Sequence, residues 1–229
     1  MTSHPSRLAP RVFDWDAIDD VLLDMDGTLL DRHFDNFFFE EELPRRYAAK
    51  QGLTFEEALA KLLAMYRSVE TELAWTDLHY WSRLLDIDLV ALTEEFDHLI
   101  RFLPDAEAFL RHLREQGKRV HIVTNAHASG IAIKAAKTGV DKHVERIVNA
   151  FEIGYLKMRP EYWPVCRHLI GFDPARSLYI DDDESCLAAA QAFGIGHIFH
   201  RSTSSSQLPP QPSSRHRSIE TFHVLMDGG

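Results

Sequence analysis

The chain has 229 residues, of which 45 % are hydrophobic, and a formal charge of −10, which suits a sizeable core in one large domain or a domain with a smaller companion. That acidity argues against generic binding to a nucleic-acid backbone, where a basic surface supplies most of the affinity, and serves solubility instead. Cys166 and Cys186 lack the spacing of a zinc site or disulfide framework, and no apolar run approaches the ~20 residues of a membrane span or forms a signal core, so a cytoplasmic protein with free thiols and no nucleic-acid or membrane partner is expected.

In chain order, residues 21–23 (VLL) are a short apolar run tipped by two carboxylates, Asp24 and Asp26, and then Gly27. Residues 33–103 show no strand signal. Thr54-x-x-Glu57 opens a capping-box helix over residues 53–70, and residues 76–87 and 92–103 repeat apolar positions at helical spacing. Four further apolar runs follow: RVHIVTNA ending at Thr124 and Asn125, RIVNAF at 146–151, SLYIDDD ending in Asp181, Asp182 and Asp183, and GHIFH at 196–200. Helical stretches at 105–117, 129–139, 161–171 and 185–194 separate them, each closed by glycine. Strands alternating with helices predict an α/β fold: a parallel sheet with helices on both faces, and a helical insert after the first strand. The Ser/Pro-rich stretch 202–218 reads as a loose, solvated loop that carries Arg215, His216 and Arg217, and 218–229 as a last helix.

Ligands of open parallel sheets bind beyond the carboxyl ends of the strands. Asp24 and Asp26, Thr124 and Asn125, and Asp181 to Asp183 all fall there. One such residue is readily a turn former or helix cap; several at strand ends in one chain point to a site. Clustered carboxylates repel unless a cation or proton joins them. Oxygen-only ligands suit magnesium, which keeps waters and leaves room for a substrate phosphate. Lys157, in GYLKMRPEYW ahead of Pro160, is placed to oppose a phosphoryl group.

DMDGTLLD with VTNA, GYLKMRP and YIDDDESCLAAAQAFG resembles, in order and spacing, the four motifs of the haloacid dehalogenase (HAD) superfamily across residues 21–200. The resemblance implies a Rossmann-like core domain of residues 1–32 and 104–229 and a small helical cap domain of residues 33–103. The phrases DRHFDNFFFEEELPRRYA, YRSVETELAWTDLHYWSR and VTNAH are similar to bacterial GMP/IMP nucleotidases, which remove phosphate from purine 5′-monophosphates. It further implies a nucleophile at Asp24 and a general acid, then base, at Asp26, whose backbone carbonyl also binds the metal. Thr124 and the amide of Asn125 hold a phosphoryl oxygen, and Lys157 neutralises nucleophile and phosphate. Asp24 and Asp182 ligate magnesium, with Asp181 or Asp183 in support. The spacing agrees: the family's alanine pair and glycine fall on Ala189, Ala190 and Gly194, counted from Asp182. Cys186 departs from the family, which often has an acid or amide there. Within the superfamily an aspartate at the position of Asp26 marks phosphate esters rather than carbon–halogen bonds as substrates.

The expected function is therefore a magnesium-dependent phosphatase of small phosphate monoesters, with purine nucleotides foremost. A sugar-phosphate phosphatase or phosphomutase, and a regulatory HAD scaffold without turnover, are the alternatives. Specificity is expected from the insert, with His33, Asp35, Asn36, Arg45, Arg46, Trp75 and Tyr80 as candidates that packing or solvation would equally explain. Oligomeric state is not legible.

Overall fold

The computed structural model describes residues 13–226. Six strands form one all-parallel sheet in the order β3-β2-β1-β4-β5-β6. They are β1 (Asp20–Leu23), β2 (Arg119–Thr124), β3 (Arg146–Asn149), β4 (Ser177–Asp181), β5 (His197–Arg201) and β6 (Ser218–Ile219). The central strand β1 is buried along its whole length, and side chains alternate between two apolar layers. Val21 and Leu23 join Val120, Ile122, Leu178 and Ile180 in one cluster, whereas Leu22 joins Val123 and Tyr179 in the other. Burial on both faces is what a parallel sheet requires, and each such aliphatic side chain contributes about 1.5–3 kcal/mol.

Register brings the strand ends together. Leu23 pairs with Ile122 on one side and Ile180 on the other. One residue on, the Asp24 amide donates to the Ile180 carbonyl at 3.0 Å, so Asp24 leaves the sheet beside Asp181, the last residue of β4. Thr124 ends β2 at the same edge.

Between β1 and β2 the chain folds into α1 (His33–Phe37), a π-helical turn (Phe38–Glu42), α2 (Leu43–Gln51), α3 (Phe55–Val69), α4 (Leu78–Leu85) and α5 (Leu89–Glu95). The predicted capping box of α3 is present: Thr54 Oγ1 accepts from the Glu57 amide at 3.2 Å, and Glu57 accepts from the Thr54 amide at 2.9 Å. The helix expected over 92–103 is shorter. After α5 and a single 3₁₀ turn (Asp97–Leu99) the chain becomes extended. Its backbone partners there belong to the outgoing linker, with the Leu103 amide donating to Leu29 at 2.9 Å and the Asp31 amide to Arg101 at 2.9 Å. The two linkers thus run side by side, and a helix would forfeit those bonds.

The remaining helices are α6 (Ala106–Glu115), α7 (Ala128–Thr138), α8 (Ala150–Ile153), α9 (Tyr162–Ile170), α10 (Glu184–Phe193) and α11 (His223–Met226). The run at 146–151 is divided: Asn149 ends β3 and caps α8 by accepting from the Phe151 and Glu152 amides. The C-terminal stretch also differs from expectation. Residues 204–206 are not loose: Ser205 is buried, the Ser206 amide donates to Asp31 Oδ1 at 3.0 Å, and the Arg32 amide donates to the Ser204 carbonyl at 3.0 Å, whereas most of 207–217, Arg215 and Arg217 included, is exposed as a solvated loop. Ser218–Ile219 is a strand, too short to show a period, and α11 follows it. Residues 227–229 of the expected last helix, and the N-terminal stretch read as lacking a signal core, lie outside the described residues in whole or in part. Among the described residues no helix is long and apolar enough to cross a membrane.

Candidate active site

Asp24 leaves β1 and is buried. The chain then turns at Gly27, whose φ of +92° lies in the left-handed region, and a Cβ there would come within 2.7 Å of Asp182 Cγ. Glycine is therefore needed both for the turn and for the approach of the fourth strand's acids. Asp181 closes β4, and Asp182 follows in the loop to α10. Lys157 comes from the loop between α8 and α9. That loop is fixed by two side chains: Asn125 Oδ1 accepts from the Lys157 amide at 2.8 Å, and Trp163 Nε1 donates to the Lys157 carbonyl at 3.0 Å.

The buried Lys157 ammonium donates to Asp24 and, at 2.7 Å, to Asp181 Oδ2. Tyr179 OH also donates to Asp181, and the Asp183 amide donates to Asp181 Oδ1 at 2.8 Å. Asp182 Oδ2 accepts from Arg32 Nη1 at 2.8 Å. Burial opposes the charge on Lys157, but Asp181 and Asp24 reverse this and hold it well above the ordinary lysine range. Asp24 is raised well above the usual carboxylate range by burial, with Asp181, Asp182 and Asp26 adding to the rise against the pull of Lys157. Burial likewise raises Asp182 to about 6, with Arg32 opposing. Carboxylates so crowded hold more negative charge than their neighbours neutralise.

Asp24, Asp181 and Asp182 each offer a carboxylate oxygen, and the three oxygens lie within 4.8 Å of one another. An all-oxygen donor set of this charge fits a hard divalent cation. Of the two acids left open by the sequence, Asp181 stands in that group. Asp183 instead caps α10, accepting from the Ser185 amide at 2.7 Å. Cys186 is buried beside the site, and burial pushes its thiol well up, so it adds no anionic ligand.

Asp26 stands outside the three-carboxylate group. Its side chain meets Lys134 of α7, with Nζ 2.7 Å from Oδ1. Thr124 is buried at the end of β2, and its Oγ1 accepts from the Ala126 amide at 3.0 Å. The Asn125 carbonyl accepts from Thr76 Oγ1 of the insert at 2.6 Å. All these residues line one cavity of about 330 Å³. Its other wall comes from the insert and is aromatic: Phe34, Phe38, Phe39, Tyr66 and Trp75. Tyr66 meets Trp75 and Phe39 edge-on, with ring centroids 5.6 and 6.1 Å apart. Among the insert candidates, Asp35, Asn36 and Trp75 line the cavity. Arg45 and Arg46 are spent on Glu41, Glu42 and Glu95, Tyr80 packs on Trp81, and the His33 amide donates to Asp31.

Sequence reasoning missed Arg32 and Lys134. Arg32 follows the first motif directly, so its nearness to the strand edge was a usable signal. Lys134 carried none, because its partner Asp35 lies 99 positions upstream.

Open parallel sheets covered on both faces are a fold class whose ligands bind beyond the carboxyl ends of the strands, and the carboxylates, the buried lysine and the buried threonine converge there. Comparison with known proteins narrows that class. The chain belongs to the haloacid dehalogenase-like hydrolases, whose family model matches residues 18–194. It is 35 % identical over 212 residues to the GMP/IMP nucleotidase YrfG of Escherichia coli, an alignment covering 93 % of this chain and 96 % of the relative, and equally so to its Shigella flexneri counterpart. The HAD phosphatase of Thermococcus onnurineus superposes with a TM-score of 0.77 at 20 % identity, covering 92 % of this chain and 97 % of that one. An L-2-haloacid dehalogenase of Xanthobacter autotrophicus, with chloropropionic acid covalently bound, gives 0.57 at 14 % identity, over 92 % and 97 % of the two chains. These two structures share the fold.

Proposed function

We propose that the protein hydrolyses phosphate monoesters through an aspartyl-phosphate on Asp24, and that its substrates are purine nucleoside 5′-monophosphates such as GMP and IMP. The observation that carries this reading is the cavity itself. One wall presents Asp24, Asp26, Thr124 and Lys157 at the sheet edge, and the other presents the aromatic side chains of the insert. A nucleotide is a phosphate joined to a flat aromatic base, and it matches such a pair of walls. The likeness to a GMP/IMP nucleotidase over nearly the whole chain supports the same substrate class.

The chemistry follows from the positions. Asp24 Oδ attacks phosphorus while the bond to the ester oxygen breaks, and Asp26 gives its proton to that oxygen, releasing the nucleoside. Asp26, now a carboxylate, takes a proton from water, whose oxygen attacks phosphorus and breaks the bond to Asp24, releasing phosphate. Lys157 opposes charge on the nucleophile and the phosphoryl oxygens, and Thr124 with the Asn125 amide holds one of those oxygens. Asp24, Asp181 and Asp182, with the Asp26 carbonyl, would hold magnesium, which when bound supplies positive charge against the phosphoryl group. The residues of 33–103 act as a cap that excludes water and reads the leaving group, over a core of 1–32 and 104–229. The intact set from Asp24 to Asp182 opposes a scaffold without turnover.

The test is phosphate release across purine and pyrimidine 5′-monophosphates, sugar phosphates and phospho-amino acids. GMP and IMP with magnesium are expected to turn over fastest, and EDTA to abolish release. Faster turnover of sugar phosphates would overturn the substrate class, and no release from any ester would overturn the reaction.

A further inference from the structure

The two buried lysines of the cavity divide the carboxylates between them. Lys157 serves Asp24 and Asp181. Lys134 serves the others: its Nζ lies 2.7 Å from Asp26 Oδ1 and 2.9 and 3.2 Å from the two oxygens of Asp35. The two contacts to Asp35 are hydrogen bonds, and the one to Asp26 is an ion pair. Lys134 stands on α7, the helix that follows the Thr124–Asn125 loop, while Asp35 belongs to α1 of the insert. One ammonium therefore ties the sheet domain to the insert, through the carboxylate two residues beyond the nucleophile.

From this geometry we infer that Lys134 is a positioning residue for proton transfer: it holds the Asp26 carboxyl in the orientation that reaches the leaving oxygen, and keys that orientation to Asp35 of the insert above it. The inference rests on the phosphatase reading in which Asp26 moves the proton. Three observations support it. First, Asp26 has little else to fix it. Among the described residues Lys134 is its ion-pair partner, and Oδ1 is buried without an aligned hydrogen bond. Second, Lys134 is 6 % exposed, and a buried ammonium is costly. If it served only to pack α7 against α1, an apolar side chain of the same length would do as well or better. Third, the Phe34 ring is centred 5.6 Å from Nζ, so the ammonium sits between two acids and an aromatic face.

A misplaced proton donor harms esters in proportion to how badly their leaving oxygen needs the proton. An alkyl phosphate such as a nucleoside 5′-monophosphate needs it; p-nitrophenyl phosphate, with a stable phenolate leaving group, does not. Loss of positioned general acid catalysis is worth about 10²–10⁴-fold. The experiment compares single-turnover rates of the two esters in the parent, Lys134→Met, Lys134→Arg and Asp35→Asn proteins. In Lys134→Met the aryl-to-alkyl rate ratio is expected to rise at least ~100-fold. With the aryl ester in excess, Lys134→Met should also give a burst of p-nitrophenolate, because the slowed second step still needs Asp26 as base. Lys134→Arg should bring the ratio back towards the parent. Asp35→Asn, at a position nearer the surface, should raise it by about tenfold and keeps the test decisive if Lys134→Met fails to fold. Equal losses for both esters, or no loss for either, in the variants that fold would overturn the positioning role. A parent that hydrolyses neither ester would instead bring down the phosphatase reading, and this inference with it.

Discussion

Asp24 is under opposed pressures, and they set what its substitution should do. Burial and three neighbouring acids raise its carboxyl, while Lys157 draws it down. Asp24→Asn removes the proposed attacking oxygen and also one of the crowded charges, and Lys157 keeps Asp181 as a partner. Turnover should fall by at least about 10³-fold while the melting temperature is not lowered, measured by phosphate release and thermal unfolding on the same preparation. Unchanged turnover would contradict the nucleophile assignment. The residues legible in the sequence share one property: Asp24, Thr124, Asp181 and Asp182 each end or follow an apolar run that becomes a strand, so local pattern alone places them at the edge. Lys157 was readable from its place in a loop ahead of Pro160, and more specifically from its motif. Lys134 sits mid-helix among Ile131, Ile133 and Ala135, and its meaning comes from acids that tertiary structure brings to it.

At the scale of elements, the join between sheet and insert is built from three strips of chain. The outgoing linker carries Asp31, the returning linker carries Arg101, and the segment after β5 carries Ser206. Asp31 accepts from the His33 and Ser206 amides at 3.0 Å and from Arg101 Nε at 3.2 Å, and Arg101 Nη2 donates onward to Ser206 Oγ at 2.9 Å. Serine and proline usually mean a solvated loop, and most of 207–217 is exposed, but Ser206 bonds to a buried acid that no local pattern reveals. Burial alone would raise the Asp31 carboxyl, but the hydrogen bonds from Ser206, His33 and Arg101 outweigh it and hold the group below its ordinary value. A group depressed in the folded state contributes stability above its unfolded pKa and loses it as pH falls through the folded value. Asp31→Asn should therefore cost about 1–3 kcal/mol near neutrality, and the difference from the parent should shrink below about pH 4. Denaturant unfolding at both pH values checks this; a gap independent of pH would mean that the charge contributes nothing.

Across the whole molecule, the sheet order puts β1 between β2 and β4, so the acids of the first and fourth strands and the threonine of the second converge without any long-range design beyond the topology. That convergence follows from alternating strands and helices, and was legible for that reason. The C-terminal closure was not. Arg201 at the end of β5 forms a buried two-point ion pair with Asp105 at 2.7 and 3.2 Å, Asp105 also accepts from the Phe222 amide, and the Phe222 ring stacks on Phe109 with centroids 4.3 Å apart. This closure lies outside the cavity. Asp105→Ala leaves a buried guanidinium unpaired and should cost about 3–5 kcal/mol, with turnover per folded molecule retained; equal stability would show that the pair is dispensable.

The proposed hydrolysis requires that the phosphoryl group pass to Asp24. Protein mixed with GMP labelled in its phosphate, quenched in acid within the first turnover and mapped by peptide, tests this most directly. The expected result is label on the peptide containing Asp24 in the parent and none in Asp24→Asn. Turnover of GMP with no labelled protein, or with label on another residue, would contradict it.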